Sequence, residues 1–422
     1  MTRVWAAAAG PLPRFLAPRL PFFYGWVILA CACCAGFSRQ GGAVATLSIF
    51  VEPMTQDFGW SRAALSGAVS LGGVLAALSA PTLGRLLDRS GARVVLCLAV
   101  LTTGVADMLL SLTGSLAMFY LLFCVARTNF AGPFDLGIYG AVNHWFVARR
   151  GVATGIATLA QMSGLVCLPL IAQAAIARDG WRAGWLAVGI AVLVIGFIPN
   201  FLFMVRRPED LGLAPDHRPA PRGTDAPRRP EASFTRAQAL RTSSFWLLCL
   251  FTLFAYPVQA GVSLHQAPYL IERGLAPATA ATIVSVFSLM SGVASFGFGI
   301  MTRHVPMRYA LALAGLALAT GTFAMLGVAS ARDGYLAGAL FGIGIGGLLT
   351  LLPIAWADYY GRASYGAIRG IALSVQVLAQ ASGPLLSGVL RDWSGSYVLS
   401  LQCFVVLSGL SVLTALLARP PR

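Results

Sequence analysis

Long apolar stretches separated by short polar turns run through nearly the whole chain. An apolar run must reach about 20 residues to cross the hydrocarbon core of a bilayer as a helix. Twelve runs meet that length, at roughly 23–51, 62–83, 94–113, 116–142, 152–176, 182–204, 245–270, 278–301, 309–329, 334–357, 367–389 and 396–418. The pattern predicts an all-α membrane protein with twelve transmembrane helices. Only one polar stretch is long, reading RRPEDLGLAPDHRPAPRGTDAPRRPEASFTRAQALRTSSF from 206 to 245. Its proline, arginine and small polar residues are those of a tether, and its last third, 235–241, suits a short surface helix. The expected division is an N-terminal segment 1–22, a six-helix bundle 23–205, a linker 206–244, a second six-helix bundle 245–418 and a tail 419–422.

The chain also repeats itself at an offset of 215 residues. Gly84 meets Gly299. Gly151, Gly155, Ile156 and Ala157 meet Gly366, Gly370, Ile371 and Ala372. Gln161 meets Gln376, Pro169 meets Pro384, and Gly180 meets Gly395. A duplicated six-helix unit accounts for this, giving two pseudo-symmetric bundles related by an axis along the membrane normal.

Composition agrees. At 57% hydrophobic and 11% charged, the chain has too little charge to cover a soluble protein of its length. The formal net charge of +15 does not mark a nucleic-acid binder, because the cations are all arginines and sort by loop. Arg85, Arg89, Arg93, Arg149, Arg150 and most of the central stretch fall on one side; only Arg62, Arg178, Arg182, Arg273, Arg332 and Arg391 fall on the other. That is the positive-inside bias, and it places both termini in the cytoplasm of a bacterial inner membrane. The eight cysteines lie within apolar spans and read as packing residues. No cofactor, metal or nucleotide motif appears. The expected partners are the bilayer, a small organic anion and protons, with the protein a monomer.

Two arginines break the apolar pattern. Arg39 interrupts the first span and Arg127 the fourth. A charge near the bilayer centre costs roughly 2.5–3.5 kcal/mol on insertion scales. The rise of a helix puts them about 18 Å and about 16 Å below the outer surface, so their depths match. In the repeat, Arg39 aligns with Phe254 and Arg127 with Gly342, so the architecture does not require a cation at either place. Around Arg39, Ala35, Gly36, Gly42, Ala43 and Thr46 are small enough to leave room beside the guanidinium. Two such groups suit a carboxylate. Asp135 and Asp107 are expected as their internal counter-charges or as proton sites. Span seven adds a polar stripe of Tyr256, Gln259, Ser263 and Gln266, with His265 beside it as a gate or proton-sensitive group, and Pro257 and Pro268 as places where the helix breaks.

After the second span the chain reads Gly84-Arg85-Leu86-Leu87-Asp88-Arg89-Ser90-Gly91-Ala92-Arg93. This resembles the cytoplasmic signature of the major facilitator superfamily, in which Gly84, Asp88, Arg89, Gly91 and Arg93 form a latch. Asp88 is expected to hold an arginine or a helix N-terminus. Further motifs are Tyr24-Gly25-Trp26, Phe58-Gly59-Trp60-Ser61-Arg62, Arg207-Pro208-Glu209-Asp210-Leu211-Gly212-Leu213, Asp358-Tyr359-Tyr360-Gly361-Arg362 and Gly366-Ala367-Ile368-Arg369-Gly370. Together these look like the bacterial branch of the monocarboxylate-transporter family, which includes oxalate/formate exchangers. The resemblance implies the major facilitator fold, transport of a small mono- or dicarboxylate by proton symport or exchange, no enzymatic activity, and gating roles for Asp358 and Arg362. The chain departs from that family on spans eight and eleven, where members carry a cation; here span eight is uncharged and span eleven offers Gln376 and Gln380. An exporter of a drug-like or other amphipathic compound is the competing expectation.

Overall fold

The computed structural model describes residues 10–217 and 234–421, so the first nine residues, the stretch 218–233 of the tether expected at 206–244, and Arg422 lie outside the described residues. The described chain is built of helices and turns. Ten helical segments are long and apolar enough to cross a membrane. Two of them are double. Arg62–Leu110 turns back at Gly91, whose φ is 80°. Arg150–Val192 does the same at Asp179 and Gly180 (φ 80° at the glycine) and continues through a π turn, Leu193–Phe197, into Ile198–Phe203. Glycine reaches that φ without steric cost. With both doubled helices counted twice, the chain crosses twelve times. Spans seven to twelve are Ser243–Glu272, Pro277–Met301, Met307–Leu326, Ala331–Tyr360, Tyr365–Ser394 and Val398–Leu417.

The residues form two compact units. Unit 1 takes the described residues of Met1–Ala153, Ala160–Ser233 and Gly361–Ser374; unit 2 takes Thr154–Leu159, Phe234–Tyr360 and Val375–Arg422. The first turns of span eleven thus belong with unit 1.

Spans one and four, expected as plain helices, are both broken at mid-depth. Span one runs as Gly25–Arg39, a 3-10 turn Gln40–Gly42, and Val44–Phe58. The Gln40 carbonyl accepts both the Ala43 amide at 3.1 Å and the Thr46 hydroxyl at 2.7 Å, which fastens the turn to the second half-helix. Span four runs as Leu116–Ala131 and Pro133–Trp145, with Gly132 at φ −114°, ψ −88° between them. Pro133 has no N–H to give and sits at the first position of the second segment, where none is needed.

Span seven is the reverse case. It stays helical from Ser243 to Glu272 with Pro257 and Pro268 inside it, so the break expected there is absent. Neighbouring helices in a membrane bundle satisfy backbone groups that proline frees. The small surface helix of the linker forms as Arg236–Leu240, closed by a capping box between Thr235 and Gln238.

Candidate functional site

The breaks in spans one and four set the site in unit 1. Arg39 is the last residue of its half-helix, where the helix dipole favours a cation. Asp135 lies in the first turn of the second half of span four, where the dipole favours an anion. The Arg39 guanidinium donates from Nη1 to Gln161 Oε1 at 2.7 Å and lies 3.8 Å from Asp135 Oδ2. Gln161 in turn donates to the Tyr139 hydroxyl at 3.1 Å. Arg127 is placed differently. Its closest hydrogen-bonding contact is a long one, Nη1 to the Gly42 carbonyl at 3.5 Å, and among the described residues it has no carboxylate partner. Both guanidinium carbons stand 4.6 Å from the centre of the Phe130 ring, within cation–π range.

The sequence expectation pairs Asp135 with Arg127. In the structure Asp135 answers Arg369 of span eleven at 3.1 Å, with Arg39 second. Two residues separate Asp135 from the Gly132 break, which resets the helical phase, so spacing from Arg127 does not say which way Asp135 faces. Arg369 resembles a loop arginine in the sequence; it is 1% exposed. Asp107, the other expected counter-charge, is fully buried and reaches neither arginine; neither of its oxygens has a hydrogen-bond partner among the described residues.

Of the small residues near Arg39, Gly42 is taken up by a helix contact. Ala35, Gly36, Gly42, Ala43 and Thr46 are all buried. A Cβ on Gly42 would collide with the Ala126 carbonyl of span four. At Gly42 the small residue brings two backbones together, as small residues do between membrane helices. What sequence reasoning missed is Phe130, Gln161, Tyr139 and Arg369. Gly132-Pro133 was the available signal for the break, and the pairing of Gln161 with Gln376 in the repeat marked a glutamine kept for a reason.

The latch residues fall in unit 1 as well. Asp88 Oδ1 and Oδ2 accept from the Gly366 and Ala367 amides, each at 2.7 Å, which is a carboxylate on a helix N-terminus. A Cβ on Gly84 would strike the Gly366 carbonyl. Arg93 donates to the Phe201 carbonyl at 2.8 Å, while Arg89 is exposed. Arg362 donates to Glu209 Oε1 at 2.6 Å and to the His144 carbonyl at 3.1 Å, so the Pro-Glu-Asp-Leu-Gly motif is an anchor. Asp216 adds a second one, accepting from the amides of Val147, Ala148 and Arg149 at 3.1, 2.6 and 3.2 Å ahead of span five.

Asp88→Asn leaves those two amide bonds without charge assistance, costing about 1 kcal/mol. The expected result is faster labelling of A367C by a membrane-impermeant maleimide in the Asp88→Asn background; equal labelling would reduce the loop to a structural turn.

The remaining candidates lie in unit 2. Tyr256 is 2% exposed and Gln376 6%. Gln259 Oε1 accepts from Gln380 at 3.2 Å. His265 contacts the Pro384 carbonyl at 3.4 Å and packs on Tyr397 with ring centres 5.1 Å apart. Asp358 is exposed.

Twelve apolar spans, a broken-helix charge cluster inside one unit and a fastened loop after the second span define a multi-pass membrane protein. The chain belongs to the Major Facilitator Superfamily, whose family model matches residues 28–384. Among relatives, the membrane sensor protein UhpC of Salmonella typhimurium is 27% identical over 358 residues, 80% of each chain. Human monocarboxylate transporter 11 is 25% identical, over 92% of this chain and 81% of that one. The oxalate:formate antiporter of Oxalobacter formigenes is 24% identical, over 58% of this chain and 56% of its own. The proton:xylose symporter XylE shares the fold at a TM-score of 0.71 and 14% identity, covering 92% of this chain and 94% of that one.

Proposed function

We propose that the protein is a secondary transporter of small organic anions, mono- or dicarboxylates, working by alternating access in a bacterial inner membrane. The observation that carries this reading is Arg127. It is a cation at mid-span with no carboxylate partner among the described residues, and it shares the Phe130 ring with Arg39. The contiguous cluster holds three guanidinium groups (Arg39, Arg127 and Arg369) and one carboxylate, Asp135. Three charges less one leaves a surplus of two, which a dicarboxylate balances by itself. A monocarboxylate leaves one positive charge over. In this reading Tyr256, Gln259 and Gln376 are substrate contacts, His265 is a gate or proton-coupling group, and Asp358 with Arg362 belong to the gating apparatus. The names of the monocarboxylate transporter and the oxalate:formate antiporter support the substrate class.

The test is binding and flux on purified protein with oxalate, succinate, formate and lactate. Dicarboxylates are expected to raise the unfolding temperature more than monocarboxylates, and to exchange against preloaded anion in proteoliposomes. Binding of none of these, with transport of an amphipathic cation, would make the exporter reading the correct one. A second reading, anion sensing, is supported by the likeness to UhpC; saturable anion binding with no flux in either direction would select it.

A further inference from the structure

Asp107 is the most isolated charge-bearing group in unit 1. It lies on span three, 0% exposed, with neither carboxylate oxygen hydrogen-bonded among the described residues. Its roof is the 3-10 turn of span one. A Cβ on Gly41 would collide with Asp107 Oδ2, and would also come within 3.1 Å of Val192 and 3.4 Å of Thr103. The absence of a Cβ at Gly41 lets the turn lie directly against the carboxyl.

The groups facing it from each packed element are few. From span one the charged residue is Arg39, two positions before Gly41, and its Nη1 is turned to Gln161 and Asp135. From span four Arg127 is turned to the Gly42 carbonyl, and Asn129 is used by Thr102 and Thr103. Span six, from Gly189 to Gly196, carries no titratable side chain. On span three itself the Thr103 hydroxyl accepts from Asn129 and makes no hydrogen bond to Asp107. An ionised carboxylate without a partner is untenable in such surroundings. A carboxyl that has gained a proton is not.

We propose that Asp107 is a proton-binding site, filled in the state described here, and that its proton governs the span-one break that carries Arg39. With the proton bound, Gly41 packs over a neutral group. When the O–H bond breaks and the proton passes to water, the roof must open to water or offer a cation. The cation on that roof is Arg39, which would then leave Gln161 and Asp135. Proton occupancy and anion affinity are thereby linked, each altering the other by the same factor. The link to anion binding rests on reading Arg39 as an anion contact; the proton site itself does not.

Two substrate-free measurements test this on the full chain in lipid nanodiscs. Infrared spectra of the wild type at neutral pH are expected to show the carbonyl stretch of a protonated carboxylic acid. It should vanish in Asp107→Asn and persist in Asp135→Asn, whose carboxylate is ion-paired. Absence of the band in the wild type, or its survival in Asp107→Asn, overturns the proposal. Hydrogen–deuterium exchange, corrected for the intrinsic pH dependence, then reads the roof. Amides of residues 40–47 are expected to exchange severalfold faster at alkaline than at neutral pH in the wild type and at one rate in Asp107→Asn, which stays neutral. An equal pH response in the two proteins removes the control of the break, and with it the proposal. Because no anion is present, these results are decided whether or not the transport reading holds.

Discussion

Arg39→Gln and Arg127→Gln are expected to weaken binding of a dicarboxylate probe such as succinate by roughly ten- to a hundredfold each, since a hydrogen bond to a charged group is worth about 1.5–3 kcal/mol. Their effects on the fold should differ, and this separates a ligand role from a structural one. Arg39 is engaged with Gln161 and Asp135, so its loss should also lower the unfolding temperature. Arg127 has no carboxylate partner among the described residues. Removing an unneutralised cation from mid-membrane should leave the unfolding temperature unchanged or raise it. Arg39→Lys keeps the charge but not the planar fork, and should bind between the wild type and Arg39→Gln. Calorimetric titration with succinate alongside thermal unfolding reads both quantities. Wild-type affinity in Arg127→Gln would remove the central claim; loss of affinity only in parallel with loss of fold would make the arginines structural.

Arg369→Gln should give the largest loss of stability. Arg369 and Asp135 form a buried pair at 3.1 Å, with side chains 1% and 7% exposed. Removing one partner of such a pair typically costs about 3–5 kcal/mol, because the other is left as an uncompensated buried charge. Asp135 keeps Arg39 at the longer 3.8 Å, which places the expectation at the lower end of that range. The double variant Arg369→Gln with Asp135→Asn removes both charges and should recover most of the loss. Denaturant unfolding in detergent of the two single variants and the double variant completes the cycle. Additive losses would show that the two residues are not coupled. Arg369 lies one turn beyond Gly366 and Ala367, whose amides Asp88 holds. The start of span eleven is therefore fastened in unit 1 at two points, and the Arg369 variant is expected to loosen A367C labelling as Asp88→Asn does.

Hydropathy and loop charge carry the class of this protein. Twelve apolar stretches, arginine concentrated in alternate loops and a half-chain repeat are local or one-dimensional quantities, set by bilayer thickness and by the cost of exposing backbone to lipid. They leave little freedom, which is why the membrane fold and the family are legible in the amino-acid sequence alone. The two mid-span arginines are legible for the same reason, since a charge in an apolar run stands out by its cost.

What each charge faces was decided by tertiary packing. Helical spacing places Asp135 relative to Arg127 on the assumption of one continuous span. The Gly132 break cancels that phase, and Asp135 meets Arg369, 234 residues away along the chain. Arg369 looks like a loop cation because it opens an apolar run; only the docking of the first turns of span eleven onto unit 1 buries it. Gly42 reads as open space, yet the backbone of span four fills it; its neighbour Gly41 packs against the carboxyl of Asp107. Sequence sets how many charges the membrane must hold. Partner choice depends on distances of a few ångströms between helices far apart in the chain, and no periodicity along one helix encodes those.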